Sequence, residues 1–150
     1  MRLALDSNVL VYAFDSDDPI RQAEASDIVL RALLCDLAIP AQVMGEFLAV
    51  VRRKAPDRLA EAIAHVESLA GAASILPTAA ADVVRAGRTS LRHKLQFWDS
   101  LIVEVARSGG AEILLTEDMQ DGRDLEGIRL LDPFNPANRE LVEALLIPAD

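Results

Sequence analysis

Four acidic side chains stand where they could share one job. Asp6 follows the apolar run Leu3-Ala4-Leu5 and precedes Ser7, Asn8 and a second apolar stretch, Val9-Leu10-Val11-Tyr12. Asp118 comes shortly after Ile113-Leu114-Leu115, with Thr116 and Glu117 between. Apolar runs of this kind read as buried strands of a parallel sheet, and open α/β sheets bind ligands outside the carboxyl ends of their strands. Glu46 borders a helical apolar face that contains Val43 and Phe47, and Asp99 follows Phe97-Trp98 in the first turn of a strongly apolar helix. Two acids leaving strands of one parallel sheet emerge at the same edge. Asp99 joins them there if its helix starts at that edge.

Carboxylates gathered within a few ångströms cannot all stay ionised, because like charges disfavour one another. A divalent cation resolves the conflict. Oxygen ligands with no His or Cys among them suit Mg²⁺ or Mn²⁺ rather than zinc. Such a cation activates water for hydrolysis of a phosphodiester. Each acid also has an ordinary reading: a strand-end Asp as a helix cap, Glu46 as a solvated helix residue, Asp99 as a partner of the helix dipole. The constellation, not any single residue, points to the metal.

The elements that must position these acids alternate along the chain. Asp15-Ser16-Asp17-Asp18-Pro19 is loop and cap chemistry before a helix over 20–34, with Ala23, Ile28, Leu30 and Leu34 among its apolar positions. Ala38-Ile39-Pro40 is a short strand. A helix over 41–53 follows, then one over 57–69 whose face is Leu59, Ile63, Val66 and Leu69 and whose stop is Gly71. Ser74-Ile75-Leu76-Pro77 is another strand, and Thr78 is the expected cap of a helix reaching about residue 93. Residues 97–108 carry the strongest helical pattern, with Phe97, Leu101, Ile102, Val105 and Ala106 on one face and Gly109-Gly110 as the stop. Trp98 is expected in the core because its helix is so apolar. Gly122 and Gly127 bound a loop, and Ile128–Leu131 is the last strand. Alternation of this kind predicts a single α/β domain over 1–136, its mostly parallel central sheet covered by helices on both faces. The tail 137–150 is expected to form a short amphipathic helix through Leu141, Val142, Leu145 and Leu146, packed on the domain or on a partner.

The chain's 150 residues and 51% apolar content suit one soluble domain. Its lone cysteine, Cys35, lies among apolar residues and reads as a small core side chain. No run is long enough for a membrane span and no signal peptide is evident, so a cytoplasmic location is expected. The net charge of −9 argues against non-specific duplex or membrane binding but leaves nucleic acid cut at a metal site open, since bound cations invert the local field.

Taken together, Leu5-Asp6-Ser7-Asn8-Val9-Leu10, the helical Glu46, Phe97-Trp98-Asp99-Ser100-Leu101-Ile102 and Leu114-Leu115-Thr116-Glu117-Asp118 resemble the PIN-domain family in order and spacing, and most nearly its VapC-type toxins. The resemblance covers about residues 1–136. It implies an endoribonuclease that needs Mg²⁺ or Mn²⁺, a homodimer, and inhibition by a cognate antitoxin. Position by position it makes Asp6 and Asp99 direct metal ligands, Glu46 the helix acid and Asp118 the fourth, with Glu117 as the alternative beside it. Ser7 then hydrogen-bonds in the site, and Asn8 and Thr116 orient the ligands. The tail lies outside the family pattern.

Substrate RNA must still be held by an acidic protein. Arg52 ends the Glu46 helix together with Arg53 and Lys54, and Arg85, Arg88 and Arg92 share one face of another helix; each is either solvated surface or part of a phosphate-contacting rim. The main rival function is a catalytically inactive PIN-like binding module. A phosphatase using Asp6 as nucleophile fits worse, because Asn8 stands where that chemistry places a second Asp.

Overall fold

A computed structural model of the chain describes residues 1–146. The opening strand β1 (Arg2–Leu5) is followed directly by helix α1 (Ser7–Phe14). The second apolar stretch, Val9 to Tyr12, is therefore helical. Asp6 is the hinge: extended itself, it accepts the Ser7 backbone N–H at 2.7 Å and caps the helix that follows.

The remaining elements are α2 (Pro19–Ala32), β2 (Asp36–Pro40), α3 (Ala41–Lys54), a 3₁₀ turn Pro56–Arg58, α4 (Leu59–Ala72), β3 (Ser74–Leu76), α5 (Ala80–His93), α6 (Phe97–Ser108), β4 (Ile113–Leu115), β5 (Asp124–Leu125), β6 (Ile128–Leu131) and α7 (Arg139–Leu145). The sheet runs β3-β2-β1-β4-β6-β5. All pairings are parallel except β5 with β6. The order reverses at β1, whose neighbours are β2 and β4, and that is where an open sheet leaves a crevice at its carboxyl edge. Leu5 of β1 is level with Leu115 of β4, and Leu115 with Leu131 of β6. Asp6 and Thr116 thus step off the sheet side by side, with Asp6 N–H bonded to the Leu115 carbonyl.

The core lies on both faces of this sheet. Leu3, Ala4, Leu5, Ile39, Leu114, Leu115, Leu130 and Leu131 are essentially inaccessible, as are Val43 and Phe47 of α3 and Ile102 and Val103 of α6. Val142 and Leu146 join the same cluster, so α7 packs on the domain. The last four residues of the expected tail, 147–150, lie outside the described residues. Cys35 is partly buried against this core.

Several expectations give way to tertiary context. The buried stripe of α2 is Ala25, Ile28, Val29 and Ala32, while Ala23 is exposed and Leu30 and Leu34 point outward. In α4 Ala62 is buried and Ile63 is not, and the helix runs through Gly71 to Ala72. Thr78 does not cap α5; Ala79 takes that position, and the Asp82 side chain reaches back to its N–H at 2.8 Å. The loop expected between Gly122 and Gly127 contains β5, closed onto β6 by Glu126 and Gly127, both at positive φ as a tight hairpin of this hand requires. Trp98 is not in the core but 62% exposed.

Candidate active site

The site forms where β1 and β4 end and α1, α3 and α6 begin. Asp6 is its buried centre, only 2% exposed. Its Oδ1 takes the Ser7 N–H, and its Oδ2 takes the Thr116 hydroxyl at 2.7 Å and the Asn8 side-chain amide at 3.5 Å. The Ser7 hydroxyl has one proton, which it gives to Glu46 Oε2 at 2.8 Å; its 3.4 Å approach to Asp6 is the weaker contact. Glu46 comes from the second turn of α3, which starts immediately after β2 and so stays near the carboxyl edge. Gln42, one turn earlier on the same face, donates its amide to Glu46 Oε1 at 2.7 Å and to the Trp98 carbonyl at 3.1 Å. That amide ties α3 to the first turn of α6, where Asp99 lies half-buried.

Charge is the defining property of the cluster. Burial pushes the Asp6 carboxyl up to about 6 despite the Thr116 and Ser7 bonds, and Glu46 and Asp99 push it the same way. Asp99 is also raised, first by burial and then by Asp118 and Glu46. Asp118 itself is exposed. Among the described residues, no Arg, Lys or His lies within ion-pair distance of Asp6, Glu46, Asp99 or Asp118.

The donor set fits a hard divalent cation. It is carboxylate, hydroxyl and amide oxygen throughout, and the Gln42 Oε1 atom is buried with no hydrogen-bond partner. Among the described residues no three acidic, His or Cys side chains are already drawn together tightly enough to hold an ion. The acids are nonetheless electrostatically coupled: Glu46 and Asp99 act on Asp6, and Asp118 and Glu46 on Asp99.

Glu117 faces elsewhere. Its carboxylate accepts the Tyr12 hydroxyl at 2.8 Å and pairs with Arg21 at 2.6 Å, while Arg21 lies over the rings of Tyr12 and Phe134. Burial and the bond to Glu117 push the Tyr12 hydroxyl up to about 12. The basic residues divide. Arg85 pairs with Asp82, Ser108 and Glu104, at the end of α6 remote from Asp99. Arg92 pairs with Glu126. Arg52 and Arg88 are exposed, with no ion pair among the described residues.

Sequence reasoning missed Gln42, Tyr12 and Arg21. Gln42 carried a usable signal, four residues before Glu46 on one helix face. Arg21 carried none, because its partner lies 96 residues away.

Residues 3–120 match the family model described as PIN domain. No curated protein sequence matches the chain. Among solved structures, VapC20 of Mycobacterium tuberculosis, described as a sarcin-ricin loop cleaving toxin, superposes with a TM-score of 0.65 at 18% identity, covering 77% of this chain and 89% of that one. A toxin-antitoxin complex from Klebsiella pneumoniae gives 0.65 at 18% identity, over 88% of this chain and 98% of the other. VapBC2 from Rickettsia felis, bound to a DNA fragment from its promoter, gives 0.62 at 21% identity, over 87% and 97%. At these identities the likeness is one of fold.

Proposed function

The chain belongs to the PIN-domain family, and from that premise we propose that it is a metal-dependent endoribonuclease serving as the toxin of a toxin–antitoxin pair. One observation carries the reading: acids gathered around the buried Asp6 at the sheet's switch point, with no basic side chain paired to them among the described residues. Asp6 and Asp99 would hold Mg²⁺ or Mn²⁺, with Glu46 and Asp118 completing the shell directly or through water. A bound divalent ion supplies an activated water and offsets the charge of the phosphodiester. The protein's own part is positional. Thr116, Ser7 and Asn8 fix the Asp6 carboxylate, Ser7 and Gln42 fix Glu46, and no side-chain nucleophile is required.

The test is a cleavage-site map on total RNA with purified protein, with and without Mn²⁺. Discrete Mn²⁺-dependent cuts support the reading. An inactive PIN-like binding module would give none, and calorimetry would show no Mn²⁺ uptake.

The solved toxin–antitoxin neighbours and the uncompensated acids together favour a cognate antitoxin. Its basic segment would lie across the site and set a cation among the carboxylates, and the toxin would act as a homodimer through the surface of α3 and α4. Co-expression with the neighbouring open reading frame tests the partner: a chain that purifies alone and inactive in Mn²⁺ counts against it.

A further inference from the structure

The helix expected to bury its tryptophan leaves it outside. Among the described residues of α6, Ser100 through Ala106 are all buried, yet Trp98 is 62% exposed. Its ring meets Phe97 edge-on, at a centroid distance of 5.1 Å and an angle of 74°, and that contact orients the indole. Its backbone is fixed to the site: the Gln42 amide that holds Glu46 also binds the Trp98 carbonyl, and the next residue is Asp99. Ile20, Leu30, Leu34 and Leu91 are exposed apolar side chains as well, but they are aliphatic and no hydrogen bond ties them to the acids.

We propose that Trp98 is a nucleobase-stacking platform on the rim of the acid cluster, a substrate-positioning residue for single-stranded RNA. The inference rests on the ribonuclease reading and adds how the strand is held. A chain of net charge −9 cannot rely on bulk electrostatics to attract RNA. Stacking on an aromatic face does not depend on charge, and every base has a π-face. Trp98 directly precedes Asp99 in the first turn of α6, and its carbonyl is held by the same Gln42 amide that holds Glu46, so the exposed ring belongs to the turn that carries the acid. Lys94 is four positions earlier, exposed and without an ion pair among the described residues, and so available to a phosphate of the same strand.

Trp98 is the chain's only tryptophan, so its fluorescence reports this position alone. The test is a titration of the full chain, in Ca²⁺, with a single-stranded oligoribonucleotide of about ten residues and with the same sequence as duplex. Saturable quenching by the single strand, and little by the duplex, is expected. In Mn²⁺-dependent cleavage, Trp98→Ala should raise KM roughly tenfold to a hundredfold with kcat nearly unchanged, and Trp98→Phe should restore KM. Absence of quenching, or a Trp98→Ala KM equal to that of the parent, overturns the proposal. So does a Trp98→Ala chain that falls from dimer to monomer with its KM unaltered, since the ring is then a protein contact. If the parent cleaves no RNA, the ribonuclease reading fails, and the quenching titration still decides whether the ring stacks on bases.

Discussion

Two parts of this molecule bury acids almost completely and treat them in opposite ways. At the carboxyl edge of the sheet, Asp6 is 2% exposed and meets only hydroxyl and amide donors. At the far end of α6, Glu104 and Asp82 are 1% and 4% exposed and are enclosed by cations. Glu104 is reached by Arg107 at 2.7 Å and by Arg85 at 3.6 Å; Thr89 donates to it at 2.7 Å, and Arg85 and Ser108 serve Asp82. Burial raises Asp82, but the Ala79 N–H, Ser108 and Arg85 outweigh it, and its carboxyl settles below the usual range. Asp6, with no cation, rises to about 6. Under the proposed reading, what sets the working acids apart is therefore not burial but the missing countercharge. Among the described residues, arginines pair with Glu104 and Asp82 and none pairs with Asp6, Glu46, Asp99 or Asp118.

The strongest test of the contrast is cleavage. Asp99→Asn should lower Mn²⁺-dependent RNA cleavage by more than about a hundredfold, since even residues that merely orient metal ligands are worth about ten- to a hundredfold. Glu104→Gln should leave cleavage per folded molecule unchanged. Equal losses in the two variants would erase the distinction between the clusters.

The next test is the sign of the pH dependence. Asp6 titrates near 6 in the folded chain against 3.8 unfolded, so between those values the folded state holds more protons. Stability without metal then falls as pH rises from about 4 to about 6 and stays low above it; the gap corresponds to about 3 kcal/mol. Asp99, also raised, adds in the same direction. Asp82 runs the other way: its contribution is present above its unfolded value and is lost as pH falls through its lowered one. Urea unfolding in chelator should therefore show Asp6→Asn to be more stable than the parent at pH 8, by up to about 3 kcal/mol, and near parity at pH 4, while cleaving nothing. A parent-like pH slope in Asp6→Asn would remove burial strain from the account of the site.

At the paired cluster, Glu104→Gln leaves two guanidinium groups short of a partner. A loss of about 2 to 3 kcal/mol is expected, because the arginines are partly solvated and the Thr89 contact can persist. The urea midpoint at pH 7 measures it.

How much of this was legible in the chain follows from the range of each interaction. Alternation of strands and helices is local, and it yielded the parallel sheet. The register that sets Asp6 beside Thr116 follows from that sheet. The exposed Leu30, Leu34 and Trp98 were misjudged because helical periodicity tells that a face exists, not which neighbour covers it. Nothing in the sequence singled out Glu104, since Arg85 and Thr89 reach it from another helix. Asp118 and Glu117 could not be ranked by spacing, because Arg21 and Tyr12, which engage Glu117, lie far away in sequence.

That last pair puts the rule to its finest test, since one peptide bond separates an acid with a cation from one without. Glu117 is held by Arg21 and Tyr12, whereas Asp118 has no ion pair among the described residues and raises Asp99. Asp118→Asn should cut cleavage about tenfold or more with stability little changed. Glu117→Gln should cost only about 1 kcal/mol of stability and leave the rate nearly intact, because its partners keep some solvent access. Paired rate and urea measurements on both variants decide it. If Glu117→Gln proves the more damaging to cleavage, the carboxylate latched by Arg21 belongs to the site, and countercharge is no guide to which acids work.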